Sequence, residues 1–338
     1  MCNSLSNYYE NYFRTGAALN WLFYTKDEAS FPDIQLVKDH FNLIVCENDT
    51  KMVGVYPKPG KFNFARSDAF IKFARKYNKA VRWHTLVWHN QSPEWIFKNR
   101  DGSLVSKEKL EKRLKKYIFK VGKRYHKYVS SVDVVNECIS DKNFDLRDGS
   151  EHSLWYQIIG PEYIDMAFHW AKKAFPNSSL VINDYNLEII PEKREGMYKL
   201  VKGMLERGVP VDTVGLQMHI SVDYPPVSQI EETIEKFGQL GLNVIVTEMD
   251  VSIYKDDKEA KKEVTVEILE EQAKRYQEIF NCFKKEAEKG YLKDVLLWGV
   301  TDKFSWKNNF PVQGRTDAPL LFDGQGHKKP AFYTITKE

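Results

Sequence analysis

Short apolar, β-rich runs alternate with longer stretches of helical periodicity along the whole chain. The runs expected as strands are residues 15–19, 41–46, 80–88, 131–136, 179–183, 213–219, 243–247 and 295–300. Leu43-Ile44-Val45 and Val244-Ile245-Val246 are continuously apolar, as strands covered on both faces are. Between these runs, residues 107–127 carry Leu110, Leu114, Ile118, Val121 and Tyr125 at helical spacing, and 231–240 and 267–289 repeat the pattern. Strand–helix alternation of this kind predicts a parallel sheet with crossover helices. Eight repeats point to an α/β fold, a (β/α)8 TIM barrel, as a single domain over residues 1–338 with 1–7 as a flexible lead. The alternative is an open doubly wound sheet. No glycine-rich phosphate fingerprint follows the first run, which weakens it.

Polar residues gather where the apolar runs end. The second run leads into Glu47 and Asn48. The third contains His84 and leads into Trp88, His89, Asn90 and Gln91. The fourth ends in Asn136 and Glu137, and the fifth in Asn183, Asp184, Tyr185 and Asn186. The sixth carries Gln217 and His219, the seventh leads into Glu248 and Asp250, and the eighth contains Trp298 with Thr301 and Asp302 just beyond. In an α/β barrel the carboxyl ends of the strands converge on one mouth, where active sites lie. One such group is an ordinary loop cap; seven of them describe a furnished cleft.

Composition narrows the setting more than the chemistry. A chain of 338 residues suits one α/β barrel and buries a large core without disulfides. The net charge of +3 is too small to demand a polyanionic partner, and the basic residues of 107–127 fall on the solvated face of an amphipathic helix. Neither nucleic acid nor a membrane is expected as a partner; no stretch approaches the roughly 18–20 apolar residues of a membrane span. The 8 Trp and 18 Tyr fit either an aromatic core or a cleft whose rings stack on sugar C–H faces. The opening MCNSLSNYYENYF has neither the basic start nor the apolar run of a secretory signal. Cys2, Cys46, Cys138 and Cys282 are read as unpaired thiols of a reducing compartment. The expectation is a cytoplasmic protein, or a secreted one whose leader has been removed, acting as a monomer or weak homo-oligomer.

Three chemistries compete for the furnished ends. A glycosidase needs one carboxyl to protonate the leaving oxygen and another to attack the anomeric carbon or activate water. Glu47, Glu137, Glu248 and Asp250 all reach the expected mouth. Each glutamate alone reads equally as a salt bridge; Glu137 and Glu248, flanked by Asn136, Gln217 and His219, read together as a catalytic pair. A metal hydrolase is the second reading, with His84, His89 and His219 as ligands, though neither H-E-x-x-H nor a paired-cysteine motif occurs. Nucleophilic Ser or Cys catalysis is the third. No G-x-S-x-G elbow is present, and strand alternation turns Cys138 away from Glu137.

The motifs FNLIVCEN (41–48) with Lys51, HTLVWHNQSPEW (84–95), DVVNE (133–137), NDYN (183–186), GLQMH (215–219), VTEMD (246–250), WGVTDKFSW (298–306) and PLLFD (319–323) follow one another over residues 12–333. In this order they resemble glycoside hydrolase family 10, the retaining xylanases. FPVQGR (310–315) and the missing signal are similar to the intracellular branch. The resemblance implies an endo-1,4-β-xylanase, a glycosidase of xylan degradation, working by double displacement through a covalent glycosyl-enzyme, with no cofactor and no metal. Glu137 takes the acid/base place and Glu248 the nucleophile place. Asn136 would bond the sugar 2-hydroxyl, His219 the nucleophile carboxylate, and Gln217 would join the same network. His84 and Lys51 would hold the 2- and 3-hydroxyls of the sugar beside the nucleophile, walled by Trp88, Trp298 and Trp306. Glu47 and Asn48 would bind the next sugar, with Gln91 nearby; His89, Tyr185 and Asp250 would support.

Retention needs the two carboxyls about 5–5.5 Å apart, and two so close are not both ionised cheaply, so Glu137 is expected to keep its proton. Walls of Trp298 and Trp306 should admit xylose and crowd the hydroxymethyl group of glucose; equal cleavage of aryl cellobioside and aryl xylobioside would contradict this. The alternatives are another retaining β-glycanase, of cellulase or mannanase type, and a sugar-binding barrel without catalysis. Several positions depart from the family pattern. Trp83 stands where Gly is usual, either crowding the packing behind the site or pointing outward, and Cys46 and Cys138 stand where Ala is common.

Overall fold

A computed structural model describes residues 4–337. Its strands are β1 (Arg14–Leu19), β2 (Leu43–Cys46), β3 (Ala80–Trp83), β4 (Val87–Trp88), β5 (Ser131–Asn136), β6 (Ser179–Asp184), β7 (Thr213–Leu216), β8 (His219–Ser221), β9 (Asn243–Ser252) and β10 (Leu292–Leu297). Hydrogen bonding runs β1-β2-β3-β5-β6-β7-β9-β10, and β10 pairs with both β1 and β9. The sheet is therefore a closed barrel of eight parallel strands with helices between them, a (β/α)8 fold. β4 continues the line of β3 and pairs with β5, and β8 continues that of β7 and pairs with β9.

The eighth expected strand, 295–300, lies three residues earlier, at Leu292–Leu297, which puts Trp298 just beyond its end, and three others differ in their course. The third and sixth runs are each split in two; the sixth breaks at Met218, whose φ of +62° lies outside any strand conformation. The seventh continues past Thr247 to Ser252 because β8 gives it a further ladder, His219 opposite Asp250. Glu248 consequently lies within β9, braced on both sides, and not beyond its end.

The contacts gather into two compact units, one taking Val45–Gly215, the other the chain up to Ile44 and from Leu216 on. In the first, the helix Lys107–Tyr125 begins at Ser106, whose hydroxyl accepts from the Lys109 amide. All five apolar positions read from the sequence are buried in it, as is Tyr117. Trp83 settles its own question here. It is fully buried, with its ring 4.8 Å from that of Tyr125 on this helix, so it faces the helical layer. Successive strand residues alternate sides, which turns its neighbours Arg82 and His84 inward.

In the second unit, Thr265 caps the helix Val266–Glu288, whose Tyr276, Ile279, Phe280 and Phe283 are buried. The expected flexible lead is corrected over its second half. Leu5–Tyr8 form a helical turn, Leu5 is buried, and the Tyr9 hydroxyl donates to the Ile335 carbonyl at 2.6 Å. An apolar side chain at position 5 had a core to join. Cys46, Cys138 and Cys282 are buried and none is in a disulfide among the described residues, while Cys2 lies outside them. Among the described residues no helix is long and apolar enough to cross a membrane.

Candidate active site

Two polar clusters stand at carboxyl ends of strands, one in each unit. In the unit Val45–Gly215 the centre is Glu137, the first residue after β5. Its carboxylate Oε2 accepts from Trp88 Nε1 at 2.7 Å. Trp88 is itself pinned, since its carbonyl accepts from Trp155 Nε1 at 3.0 Å and Ser92 Oγ at 2.8 Å. Asn136 is 2% exposed. Its Oδ1 accepts from Asn183 Nδ2 at 2.8 Å, which orients the amide, and its Nδ2 has no hydrogen-bond partner among the described residues. A buried N–H without a partner costs stability unless something else accepts from it.

His84 is placed by a device the sequence reading did not assign. Arg82 and Asp133, both fully buried, face each other as an ion pair, Nε to Oδ1 at 3.1 Å with a second bond from Nη2. Asp133 Oδ2 also accepts from His84 Nδ1 at 2.7 Å, which fixes the ring. The signal was present in Arg82, two residues before His84 and on the same side of the strand, but an arginine inside an apolar run has no partner until β5 is beside it. Lys51 donates to Asn48 Oδ1 at 3.0 Å, and its ammonium lies 5.1 Å from the Trp88 ring centre. Glu47 is half-buried; burial raises its carboxyl above the usual range, opposed by Lys51 and Asn48. Gln91 is exposed, with φ +48°.

His89 and Tyr185 belong to the ground beneath Glu137. Burial, with Arg147 and Lys193 nearby, pushes the His89 imidazole down to about 4, so it is neutral, and it reaches the Glu137 backbone. Tyr185 donates its hydroxyl to Asp141 and accepts from Arg147 at 3.1 Å. Burial disfavours the Asp141 anion, but Lys193, Tyr185 and Arg147 outweigh it and hold the carboxyl at about 2. Arg147, Asp141 and Lys193 sit in loops or on a helix with no motif to mark them, and sequence reasoning missed them.

In the other unit the centre is Glu248, 4% exposed on β9. Its amide donates to the Gln217 carbonyl at 3.1 Å, and its Oε2 lies 3.5 Å from His219 Nε2. The opposite nitrogen of His219 lies 2.9 Å from Asp250 Oδ2, which also accepts from Trp306 Nε1 at 2.7 Å. Lys307 stands 3.7 Å from Asp250 Oδ1. Burial opposes a charge on His219, yet the carboxylates of Asp250 and Glu248 prevail and raise it to about 9. Burial likewise opposes the Asp250 anion, and His219 and Lys307 overcome it, leaving its carboxyl below the usual range. Trp298 is buried with its ring 6.5 Å from His219, and Trp306 lies 4.8 Å from it.

A pH dependence follows from His219. Its folded value, about 9, exceeds the ordinary 6.5. The stability it contributes is complete below that ordinary value and is lost as pH rises through about 9. The Tm difference between wild type and His219→Asn should shrink from pH 6 to pH 10; a constant difference would refute a charged His219.

Among the described residues the one group of three possible metal ligands is Glu231, Glu235 and Glu286, on the helices Val227–Gly238 and Val266–Glu288. Lys285 and Lys289 already pair with these carboxylates. His84 and His219 each spend a ring nitrogen on a carboxylate, Asp133 or Asp250.

Comparison with known proteins fits this chemistry. Endo-1,4-beta-xylanase C of Paenibacillus barcinonensis is 41% identical over 90% of this chain, which spans 29% of that longer relative. The thermostable celloxylanase of Thermoclostridium stercorarium is 41% identical over 98% of this chain and 86% of its own length. A solved mutant structure in complex with xylotriose superposes with a TM-score of 0.92 at 39% identity, covering 99% of this chain and 100% of that one. The family model of glycosyl hydrolase family 10 matches residues 4–338, and the chain belongs to that family.

Proposed function

We propose that Glu137 and Glu248 are the acid/base and the nucleophile with which this retaining endo-1,4-β-xylanase hydrolyses β-1,4-xylosidic bonds. The observation that carries the assignment is the difference between the two carboxylates' partners. Glu137 meets a neutral donor, the Trp88 indole, whereas Glu248 lies beside an imidazole that Asp250 keeps protonated. A cation at Glu248 favours its anion, the form that attacks. The indole donor at Glu137 is neutral and does not by itself demand the anion, which suits a carboxyl that carries the proton the leaving oxygen needs.

The reaction then runs in two displacements. Glu137 gives its proton to the glycosidic oxygen as Glu248 bonds to the anomeric carbon. Glu137 next takes a proton from water, which displaces Glu248 and restores the β configuration. The partnerless Asn136 amide is assigned to the 2-hydroxyl at the cleavage position, a contact that tightens as charge develops on the ring. His84 and Lys51 are assigned to the sugar beside the nucleophile, with Trp88, Trp298 and Trp306 as its walls. Glu47, Asn48 and Gln91 are assigned to the neighbouring sugar.

Proton NMR of xylohexaose mixed with the protein, followed from the first minute, tests this. Internal fragments should appear with β-anomeric reducing ends before mutarotation. Early α-anomers would overturn the double displacement, and intact xylohexaose would overturn the substrate.

A further inference from the structure

Glu137 holds its side chain out from a backbone conformation that non-glycine residues seldom adopt. Its φ is +55°, in the left-handed region, where an L-residue stays only if its surroundings fix it. The Glu137 amide donates to the Asn183 carbonyl at 2.8 Å. On the other side, the Ile139 amide donates to Asp184 Oδ2 at 3.0 Å, and the carbonyls from Glu137 to Ile139 are gripped by Arg147. Arg147 Nε donates to the Glu137 carbonyl at 3.2 Å, its backbone N–H to the Cys138 carbonyl at 2.7 Å, and its Nη2 to the Ile139 carbonyl at 3.0 Å. One residue thus holds three successive carbonyls of the segment that carries the acid/base.

Arg147 is itself fixed from the far side. Its Nη1 lies 3.3 Å from Glu151 Oε2, and its Nη2 bonds Asp141 at 2.9 Å and the Tyr185 hydroxyl at 3.1 Å. Lys193, fully buried, donates to Asp141 at 2.8 Å. The guanidinium is only 8% exposed and spends its donors on this framework. A planar five-donor fork is the one side chain that spans such a set of acceptors.

We propose that Arg147 is the positioning residue of the acid/base. It locks the left-handed turn at Glu137 and so aims the carboxyl at the glycosidic oxygen. This rests on Glu137 being the proton donor. A group held out of line by a fraction of an ångström loses proton transfer before it loses binding.

The test compares substrates that do and do not need a proton on the leaving group. Xylotetraose needs one; 2,4-dinitrophenyl β-xylobioside does not. Arg147→Lys keeps a cation for Asp141 and Glu151 but cannot span the Glu137 and Ile139 carbonyls, and Arg147→Gln removes the charge. Both should lower kcat/KM on xylotetraose by about 10- to 100-fold, a part of the ~10²–10⁴ that proton transfer contributes, and shift the basic limb of its pH profile. On the dinitrophenyl substrate kcat/KM should stay within about threefold, because that cleavage draws nothing from the general acid. Equal losses on the two substrates, or no loss, would overturn the proposal. Should neither variant fold, Tyr185→Phe removes one anchor of Arg147 and should show the same selective loss at smaller scale; an unselective effect there counts against it equally. Glu137→Ala run alongside separates the two ideas. If it shows no leaving-group selectivity, the acid/base reading fails; if it does and the Arg147 variants do not, only the positioning role fails.

Discussion

Glu248→Ala is expected to lower the rate of xylo-oligosaccharide cleavage by roughly 10⁴-fold or more, the scale on which an enzyme loses a nucleophile. No other carboxylate of its cluster can take its place: Asp250 is fully buried and committed to His219 and Trp306. The fold should survive, because β9 is held by β8 on one side and β10 on the other. His219 also keeps Asp250 as its counter-charge, so the substitution leaves no buried cation unpaired. The measurement is kcat on xylotetraose with and without azide. Azide enters the space left by the carboxylate and attacks the anomeric carbon directly, so rescued product should be the α-xylosyl azide, inverted relative to substrate. Retention of more than about a hundredth of wild-type activity would exclude Glu248 as the nucleophile, given the magnitude above.

Glu137→Ala has a different signature. Loss of the general acid should cost about 10²–10⁴-fold on xylo-oligosaccharides, whose leaving alcohols need a proton. The first step on 2,4-dinitrophenyl β-xylobioside needs none and should proceed near the wild-type rate. The second step, deprived of its base, becomes slow, so a burst of dinitrophenolate should precede a slow steady state. Azide needs no base and should restore turnover with β-xylosyl azide, the anomer opposite to that from Glu248→Ala. Trp88 loses its acceptor in this variant, but it is only half-buried and water can replace the carboxylate. If the two substrates lost activity in equal proportion, Glu137 would not be the acid.

The architecture was legible from periodicity because barrel strands and their helices are patterned by local burial. Continuous apolar runs mark strands covered on both faces, and the spacing of Leu110 to Tyr125 marks a helix on the outer layer. Strand limits were less legible. The sequence near Thr247 gives no hint that β9 runs on to Ser252, since the partner that extends it, β8, comes from another part of the chain.

The chemistry divides in the same way. By itself the sequence determined the fold class, the ring of polar strand ends and the family motifs, because each is written in residues close together along the chain. It named Glu137, Glu248, Asn136 and His219, but could not say what fixes them. Only the tertiary structure placed Asp133 between Arg82 and His84, set Asp250 against His219, Trp306 and Lys307, and closed Arg147 over the carbonyls of Glu137 to Ile139. It also turned Trp83 to the helices. Most of these partners lie tens of residues apart, and a buried charge or an orphaned amide acquires its meaning only from what folding brings within hydrogen-bonding distance of it.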